Sequence, residues 1–375
     1  MPRPAEVHRG SGRLRRVSST AAGRHAPGSP FRIALFVPIS GSAGLWGPSS
    51  IACAQLAAEE LNQAGGLRGR SIHLSVFNAA DEADDLLAQA GAALADGDID
   101  AIVGMHTSSV RQVVKRAGTG DVPFVYTPLY EGGETAPGVF AIGERPEQQL
   151  RPAIRAMERL YGARRWMLLG NDYIWPRVSH RLAHDYIREM GGEVVQDLYL
   201  PFGVDDFQPV FDRIARHRPQ AILMSLIGQD AIDFNRLFGA QGCARNTLRL
   251  SCAVEENGLL AIGADNTDGL HVASGYFASL GHEANLAFKE RYYGRYGSRA
   301  PTLNALGQST YEGVHFVAAL TNLPERDAQP VHAPLARPLS WRSVRGTRFL
   351  DNRRSEQPVY LARAQGHLFE IIQAL

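Results

Sequence analysis

The stretch that sets the architecture runs from residue 31 to residue 66 and reads FRIALFVPISGSAGLWGPSSIACAQLAAEELNQAGG. Its first seven residues, Phe31–Val37, are a β-branched and aromatic run that ends at Pro38, which predicts a buried strand. A loop rich in Gly and Ser follows, and apolar residues then recur at helical spacing until Gly65 and Gly66 end the pattern. The stretch therefore predicts a strand, a loop and a helix in succession.

The same rhythm continues along the chain. Strand-like segments at 71–77, 101–103 and 122–126 alternate with helical patterns at 84–94 and 110–117. This order predicts a parallel sheet with helices on both faces. A second set begins near residue 143, and its predicted elements are helices at 146–161, 177–190, 207–216 and 231–240 and strands at 165–169, 193–200, 221–224 and 248–251. We therefore predict an α/β fold with two Rossmann-like lobes.

The last hundred residues differ from this alternation. Two long helices are predicted at 283–293 and 303–320, and the segment 347–372 alternates like antiparallel strands.

Composition excludes several function classes. The chain has 375 residues, 45% of them hydrophobic, and 39 basic against 38 acidic residues give a net charge of +1. Such a balance does not favour a direct nucleic-acid partner. The three cysteines, Cys53, Cys243 and Cys252, lack metal-site spacing and are predicted to be buried free thiols.

The first 30 residues form a segment of different composition. It carries six arginines and Glu6 as its only acid, so we predict a disordered basic tail over residues 1–30. Arg15 and Arg16 resemble a twin-arginine motif, but the apolar run of an export signal does not follow them. The expected location is therefore cytoplasmic. A true start codon further upstream would make it periplasmic or extracytoplasmic.

Motifs for catalysis are not apparent. The loop at 41–48 follows the first strand but lacks the lysine and spacing of a phosphate loop, and neither a G-x-S-x-G nor an H-E-x-x-H pattern occurs. His106 follows a strand, yet the sequence places no nucleophile and acid around it. We therefore expect no enzyme activity, no catalytic residues, no cofactor and no metal.

Polar and aromatic side chains cluster after three predicted strands. Ligands of open α/β sheets bind outside the carboxyl ends of the strands, and aromatic walls with a few hydroxyls suit a small polar ligand. The candidate ligand-binding residues are His106, Thr107, Ser108, Tyr126, Pro128, Tyr130, Tyr173 and Trp175. The alternative is structural, with Ser108 only capping a helix and the tyrosines only packing between domains.

The residues in these loops carry a resemblance to a known family. The motifs are LNQAGGLRGR at 61–70, VGMHTSS at 103–109, YTPLYEG at 126–132, GNDYIWPR at 170–177, the two consecutive glutamates at 255–256 and GYFAS at 275–279. With them, residues 31–320 resemble the type I periplasmic-binding-protein family. Within it, the chain is similar to the branch of cytoplasmic amide sensors and of urea and short-chain-amide binding proteins of ABC transporters.

This resemblance implies a three-crossing hinge between two lobes, with ligand in the cleft favouring closure. The first lobe would comprise 31–143 and 275–325, and the second 144–274 and 326–375. Ser108 would hydrogen-bond the ligand, Tyr126 would line the floor and Tyr173 would reach across from the second lobe. His106, Pro128 and Trp175 stand where the amide sensor has other residues, so the ligand could differ.

Two function classes follow from the resemblance. One is a ligand sensor that controls a partner such as an RNA-binding antiterminator. The other is the substrate-binding component of an ABC-type system, whose partner is a membrane permease. The mostly neutral pocket loops favour an amide or urea, while Asp172 and Glu131 keep an amino-acid ligand open. A homo-oligomer is also possible.

Overall fold

The computed structural model describes residues 28–95, 97–118, 122–327, 329–331, 333, 335, 337–351 and 354–375. All of the predicted basic tail except Gly28, Ser29 and Pro30 lies outside these residues.

The first lobe is built on a five-stranded parallel sheet with the order β2-β1-β3-β4-β5. Its strands are β1 Phe31–Val37, β2 Ile72–Asn78, β3 Ala101–Gly104, β4 Phe124–Tyr126 and β5 Val139–Ala141. Its connecting helices are α1 Gly47–Gln63, α2 Ala83–Ala95 and α3 Ser108–Arg116. The interior strand β1, which pairs with β2 and β3, is buried along nearly its whole length, as its mostly apolar run predicts.

The second lobe is built on a seven-stranded mixed sheet with the order β15-β14-β10-β9-β8-β6-β7. Its parallel strands are β6 Arg165–Asn171, β7 Glu193–Leu200, β8 Ala221–Ser225, β9 Leu248–Ser251 and β10 Leu270–Ser274. Its helices are α4 Leu150–Tyr161, α5 Ile174–Glu189, α6 Gln208–His217, α7 Gly228–Ala240 and α8 Glu256–Ile262. The antiparallel pair β14 Tyr360–Gln365 and β15 Leu368–Ala374 completes one edge.

Two further helices return to the first lobe. They are α9 Glu283–Tyr296 and α10 Ala305–Thr321, and Asn304 Nδ2 donates to Ser49 Oγ of α1 at 2.9 Å. Close packing requires glycine here, because a Cβ on Gly307 would meet the Ser49 side chain at 2.9 Å. The fold is therefore the predicted two-lobed α/β architecture.

The C-terminal segment differs from its predicted assignment. The resemblance implies that all of 326–375 belongs to the second lobe, whereas in the structure only β14 and β15 of this segment join the second sheet. The strands β11 Leu339–Ser340, β12 Arg348–Asp351 and β13 Arg354–Glu356 form a small antiparallel sheet. In β12, the ring centroid of Phe349 lies 5.3 Å from that of Phe316 in α10 and 5.8 Å from that of Phe140 in β5. Alternation predicts a strand but does not indicate which hydrophobic face the strand will cover.

Local differences are small. The helix predicted from Pro146 begins at Leu150, because turns precede it, and the three-residue strand β5 was not predicted. All three cysteines are free, although Cys243 is only partly buried. In the described part of the chain, no helix is long and apolar enough to cross a membrane.

The chain crosses between the lobes three times, and one buried carboxylate joins the first two crossings to the segment that precedes β12. Glu144, which follows β5, accepts a hydrogen bond from the Gly275 backbone N–H after β10 at 2.8 Å. The same oxygen, Oε1, lies 3.0 Å from Nη1 of Arg345, in the segment that leads to β12. Both side chains are buried. The predicted hinge is thus held together by an ion pair that lies out of water.

Candidate functional site

A cavity of about 30 Å³ lies between the two lobes, at the carboxyl ends of the parallel strands of both sheets. The first lobe contributes the loop before α1, the turn from β3 into α3, the segment after β4 and the start of α10. The second lobe contributes the loops that follow β6, β8 and β9. Its lining residues are Trp46, His106, Thr107, Ser108, Tyr126, Pro128, Leu129, Tyr173, Trp175, Ile227, Ala253, Glu255 and Leu306.

Seven of the eight candidates from the sequence line this cavity. The exception is Tyr130, which is buried behind Tyr126 with ring centroids 6.3 Å apart and lies beneath the Arg111 guanidinium. The second tyrosine of the YTPLY motif therefore supports the wall through its contact with Tyr126 rather than forming it.

The polar contacts of Ser108 and Tyr126 lie within the first lobe. Ser108 is the first residue of α3, and its hydroxyl donates to Glu131 Oε2 at 2.6 Å. The Tyr126 hydroxyl donates to the carbonyl oxygen of His106 at 2.7 Å. The cap position of α3 belongs to Thr107, whose side chain bonds Ser109 rather than the helix backbone. Ser108 is therefore not the cap that the structural alternative required.

His106 is buried, and burial lowers its pKa to about 3. Its Nδ1 lies 3.1 Å from the carbonyl oxygen of Thr107, while Nε2 is buried without a hydrogen-bond partner and lies beside Gly104. The imidazole is therefore neutral at pH 7, and its ring centroid lies 5.3 Å from that of Tyr126 and 6.1 Å from that of Phe124.

Tyr173 and Trp175 form the facing wall. Their ring centroids are 6.2 Å apart, and Phe202 packs 5.3 Å from Tyr173 on its outer side. Among the described residues, none forms a hydrogen bond with the Tyr173 hydroxyl. Burial raises the pKa of Tyr173 well above its usual value, so this hydroxyl keeps its proton.

The acid that lines the cavity is Glu255, not the Asp172 and Glu131 of the amino-acid interpretation. Asp172 is exposed and paired with Arg177 at 2.6 Å, and Glu131 is paired with the buried Arg111. Burial, together with the neighbouring Glu256, raises the pKa of Glu255 to about 8. The carboxyl is therefore neutral at pH 7.

Some of the wall was missed by the sequence prediction. Trp46 lies in the loop at 41–48, and the sequence prediction considered this loop only as a candidate phosphate-binding loop. Leu129, Ile227, Ala253 and Leu306 are apolar and carry no chemical signal that distinguishes a pocket wall from a core.

The lobes touch each other around the cavity. Trp46 Nε1 donates to Glu255 Oε2 at 3.2 Å, and Asn257 Nδ2 donates to the carbonyl oxygen of Leu45 at 2.8 Å. The Gln229 backbone N–H donates to the carbonyl oxygen of Ser42 at 3.0 Å. These bonds enclose the cavity from both sides.

The sequence of residues 30–367 matches the family model described as periplasmic binding protein. The chain belongs to the periplasmic binding protein family. Solved structures that resemble this family member include a solute-binding protein from R. palustris in complex with benzoate. It is 18% identical with a TM-score of 0.77, and the alignment covers 92% of this chain and 96% of that one.

A second similar structure is the branched-chain amino acid transporter substrate-binding protein of Streptococcus pneumoniae with isoleucine. It is 18% identical with a TM-score of 0.73, over 92% of this chain and 99% of that one. A third, from Rhodopseudomonas palustris HaA2 with p-hydroxybenzoic acid, is 18% identical with a TM-score of 0.79, over 92% and 97% of the two chains. At these identities the structures of other family members establish the fold alone.

A buried Ser–His–Asp arrangement lies elsewhere in the second lobe. His180 Nε2 is 3.1 Å from Ser225 Oγ, and His180 Nδ1 is 2.8 Å from Asp197 Oδ1. The order of these bonds is that of a hydrolase triad. His180 is fully buried and Ser225 is 3% exposed, so a substrate has no access to the serine in this arrangement. Within the described residues, no cluster of His, Cys, Asp and Glu suits a metal ion.

Proposed function

We propose that this chain is the substrate-binding component of an ABC-type uptake system and that it binds a small uncharged amide or a urea-like molecule between its lobes. The observation that carries the proposal is the lining of the interlobe cavity. It combines aromatic walls with a few hydroxyls, and within the described part of the chain the lining residues include no Lys or Arg.

The size of the cavity supports a ligand of few atoms. A void needs roughly 10–15 Å³ on this scale to hold one water molecule. A volume of about 30 Å³ therefore suits a ligand of a few non-hydrogen atoms, the size of urea or acetamide. Branched amino acids and aromatic acids need the lobes to separate further.

The electrostatics of the cavity support an uncharged ligand. Burying an unpaired charge is costly, so a bound carboxylate needs a cation. The nearby Arg111 is committed to Glu131 and lies 3.1 Å from Glu134. Because burial raises the pKa of Glu255 to about 8, the opposite wall is also neutral at pH 7.

The relatives favour transport over regulation. The similar structures are substrate-binding proteins of transporters, with benzoate, p-hydroxybenzoic acid and isoleucine as bound ligands. A transport role would place the chain outside the cytoplasm, in contrast to the location expected from its N-terminal residues. Cell fractionation with an antibody against the full chain distinguishes the two locations.

Calorimetric titration of the purified chain with acetamide, butyramide, urea, leucine and 4-hydroxybenzoate tests the ligand class. We expect heat of binding with the amides or urea and its loss in Tyr173→Ala. Binding of leucine or 4-hydroxybenzoate alone would overturn the ligand class while leaving a binding cleft.

Uptake of radiolabelled acetamide and urea by cells with and without the gene tests the transport role. We expect the deletion to lower uptake. Unchanged uptake, combined with a ligand-dependent complex between this chain and an RNA-binding protein, would support the sensor hypothesis instead.

We also propose that binding proceeds without catalysis. Among the described residues, the serine that has a histidine and an aspartate in hydrolase order is Ser225, and it is buried away from the cavity lining. Prolonged incubation with acetamide should therefore release no ammonia. Release that disappears in Ser225→Ala would contradict this proposal.

A further inference from the structure

Two hydroxyl protons on the first-lobe wall of the cavity, those of Ser108 and Tyr126, are committed to the protein. A hydroxyl has one proton to donate and two lone pairs. Ser108 gives its proton to Glu131 Oε2 at 2.6 Å, and Tyr126 gives its proton to the His106 carbonyl at 2.7 Å. Toward a ligand, the Ser108 hydroxyl can therefore act only as a hydrogen-bond acceptor.

The ion pair of Glu131 sets the direction of the Ser108–Glu131 hydrogen bond. Glu131 forms a buried ion pair with Arg111, whose guanidinium also lies 4.6 Å over the Tyr126 ring. A carboxylate can only accept hydrogen bonds. If Ser108 turned its proton to the ligand, Glu131 Oε2 would lose this hydrogen bond while remaining buried, which is unfavourable. Arg111 Nη1 is also 3.5 Å from Ser108 Oγ and occupies at most one of its two lone pairs.

Hydrogen-bond donors come from other parts of the cavity. The first N–H groups of a helix lack intrahelical acceptors, and α3 begins at Ser108 in the cavity wall. The Tyr173 hydroxyl, on the facing wall, is bonded to none of the described residues. A ligand carbonyl can therefore be bound by these donors while its N–H group points to Ser108.

We propose that Glu131 is the residue that sets the ligand selectivity of the cleft. Because Glu131 accepts the proton of Ser108, the Ser108 hydroxyl acts as an acceptor toward the ligand. The site therefore selects ligands with a free N–H over their carboxylate and N-dialkylated analogues. This proposal rests on the proposed binding of a small polar ligand in the same cavity. Glu131 acts through Ser108 and is a positioning residue.

The substitution Glu131→Gln tests the role of the proton direction. The side chain keeps its shape, and Arg111 holds the amide oxygen, so that the new NH₂ group faces Ser108 and donates to it. Ser108 is then free to turn its own proton to the cavity. We expect acetamide affinity to fall at least tenfold and the acetate-to-acetamide affinity ratio to rise at least tenfold.

Glu134→Gln is the matched control. It weakens the same buried cluster, since Glu134 Oε2 lies 3.1 Å from Arg111 Nε, but it leaves the Ser108–Glu131 bond in place. We expect a loss of stability without a change in the affinity ratio. An equal change in the ratio for Glu134→Gln and Glu131→Gln would overturn the proposal, because it would reduce Glu131 to a structural role.

A ligand series on the unmodified chain keeps the proposal testable if Glu131→Gln does not fold. Acetamide, N,N-dimethylacetamide and acetate are titrated separately at pH 7, and we expect acetamide to bind at least tenfold more tightly than either analogue. If acetate or N,N-dimethylacetamide binds as tightly as acetamide, the cleft function stands and the role of Glu131 fails. If none of the three binds, the proposed amide function fails and this proposal falls with it.

Discussion

The indole Nε1 of Trp46, in the first lobe, donates a 3.2 Å hydrogen bond to Oε2 of Glu255, in the second lobe. Both residues line the interlobe cavity and both are buried. The bond therefore exists only when the two lobes are together, and it belongs to the closed arrangement of a two-lobed binder.

Trp46→Phe should weaken acetamide binding about threefold to tenfold, because a typical hydrogen bond contributes about 0.5–1.5 kcal/mol. The measurement is calorimetric titration. Trp341→Phe is the control, since Trp341 Nε1 also donates to the side chain of a buried glutamate, Glu312 Oε2 at 2.7 Å, but lies outside the cavity lining. Equal losses in both variants would show that the cross-cleft bond has no special role in closure.

Gly228→Ala should hold the lobes apart. A Cβ on Gly228 would lie 1.9 Å from the carbonyl oxygen of Ser42 in the opposite lobe. We expect acetamide binding to fall at least tenfold and small-angle scattering to report a larger radius of gyration.

Gly203→Ala is the matched control for this steric block. Both glycines have positive φ, +72° for Gly203 and +56° for Gly228, so both substitutions strain the backbone. A Cβ on Gly203 has nothing within 4 Å. If the two variants bind acetamide equally, backbone strain rather than interlobe contact explains the loss.

Stability should fall as the pH rises through the range in which Glu255 ionises. Burial raises the pKa of Glu255 in the folded chain to about 8, from a usual value near 4.5. Between these values the folded chain holds a proton that the unfolded chain has released. The contribution of this carboxyl is therefore complete below pH 4.5 and is lost as the pH rises to about 8.

Urea unfolding at pH 5, 7 and 9 measures this effect. We expect Glu255 to account for a decrease of about 2–4 kcal/mol in the free energy of unfolding between pH 5 and pH 9. Glu255→Gln should make the free energy of unfolding less dependent on pH in this range. Burial raises the pKa of Glu256 to about 7, so this neighbour contributes with the same sign and leaves some residual slope. If the free energy of unfolding depends on pH in the same way in the original chain and in Glu255→Gln, the pH dependence does not come from Glu255.

Glu144→Ala should destabilise the fold through the hinge. Removal of one partner from a buried ion pair typically costs 3–5 kcal/mol, because the other charge is left uncompensated. Here the charge that loses its partner is the guanidinium of Arg345, and the Gly275 N–H loses its acceptor as well. Urea unfolding measures the loss.

An exposed pair provides the comparison for the hinge. Arg151 and Glu189 lie 2.7 Å apart with both side chains nearly half exposed. Glu189→Ala should cost no more than about 1 kcal/mol. A similar cost for Glu144→Ala would indicate that the hinge pair does not hold the crossings together.

The sequence by itself determined the two-lobed α/β fold and most of the cavity wall. The buried apolar run of β1 leaves few alternatives to a central parallel strand, and parallel strands deliver their carboxyl-end loops to one edge. That rule brings His106, Tyr126 and Tyr173 to the same end of the two sheets, and in the structure all three line one cavity.

Tertiary structure alone decided which groups in that cavity are free to meet a ligand. Ser108 follows a strand end as predicted, but its proton is taken by Glu131, and Glu131 is held by Arg111. Glu255 becomes a wall residue whose uncharged form is favoured because the folded chain buries it beside Glu256, and these effects outweigh the Trp46 hydrogen bond, which lowers its pKa. Hydrogen-bond direction and burial depend on partners distant in sequence, and local pattern carries no information about them.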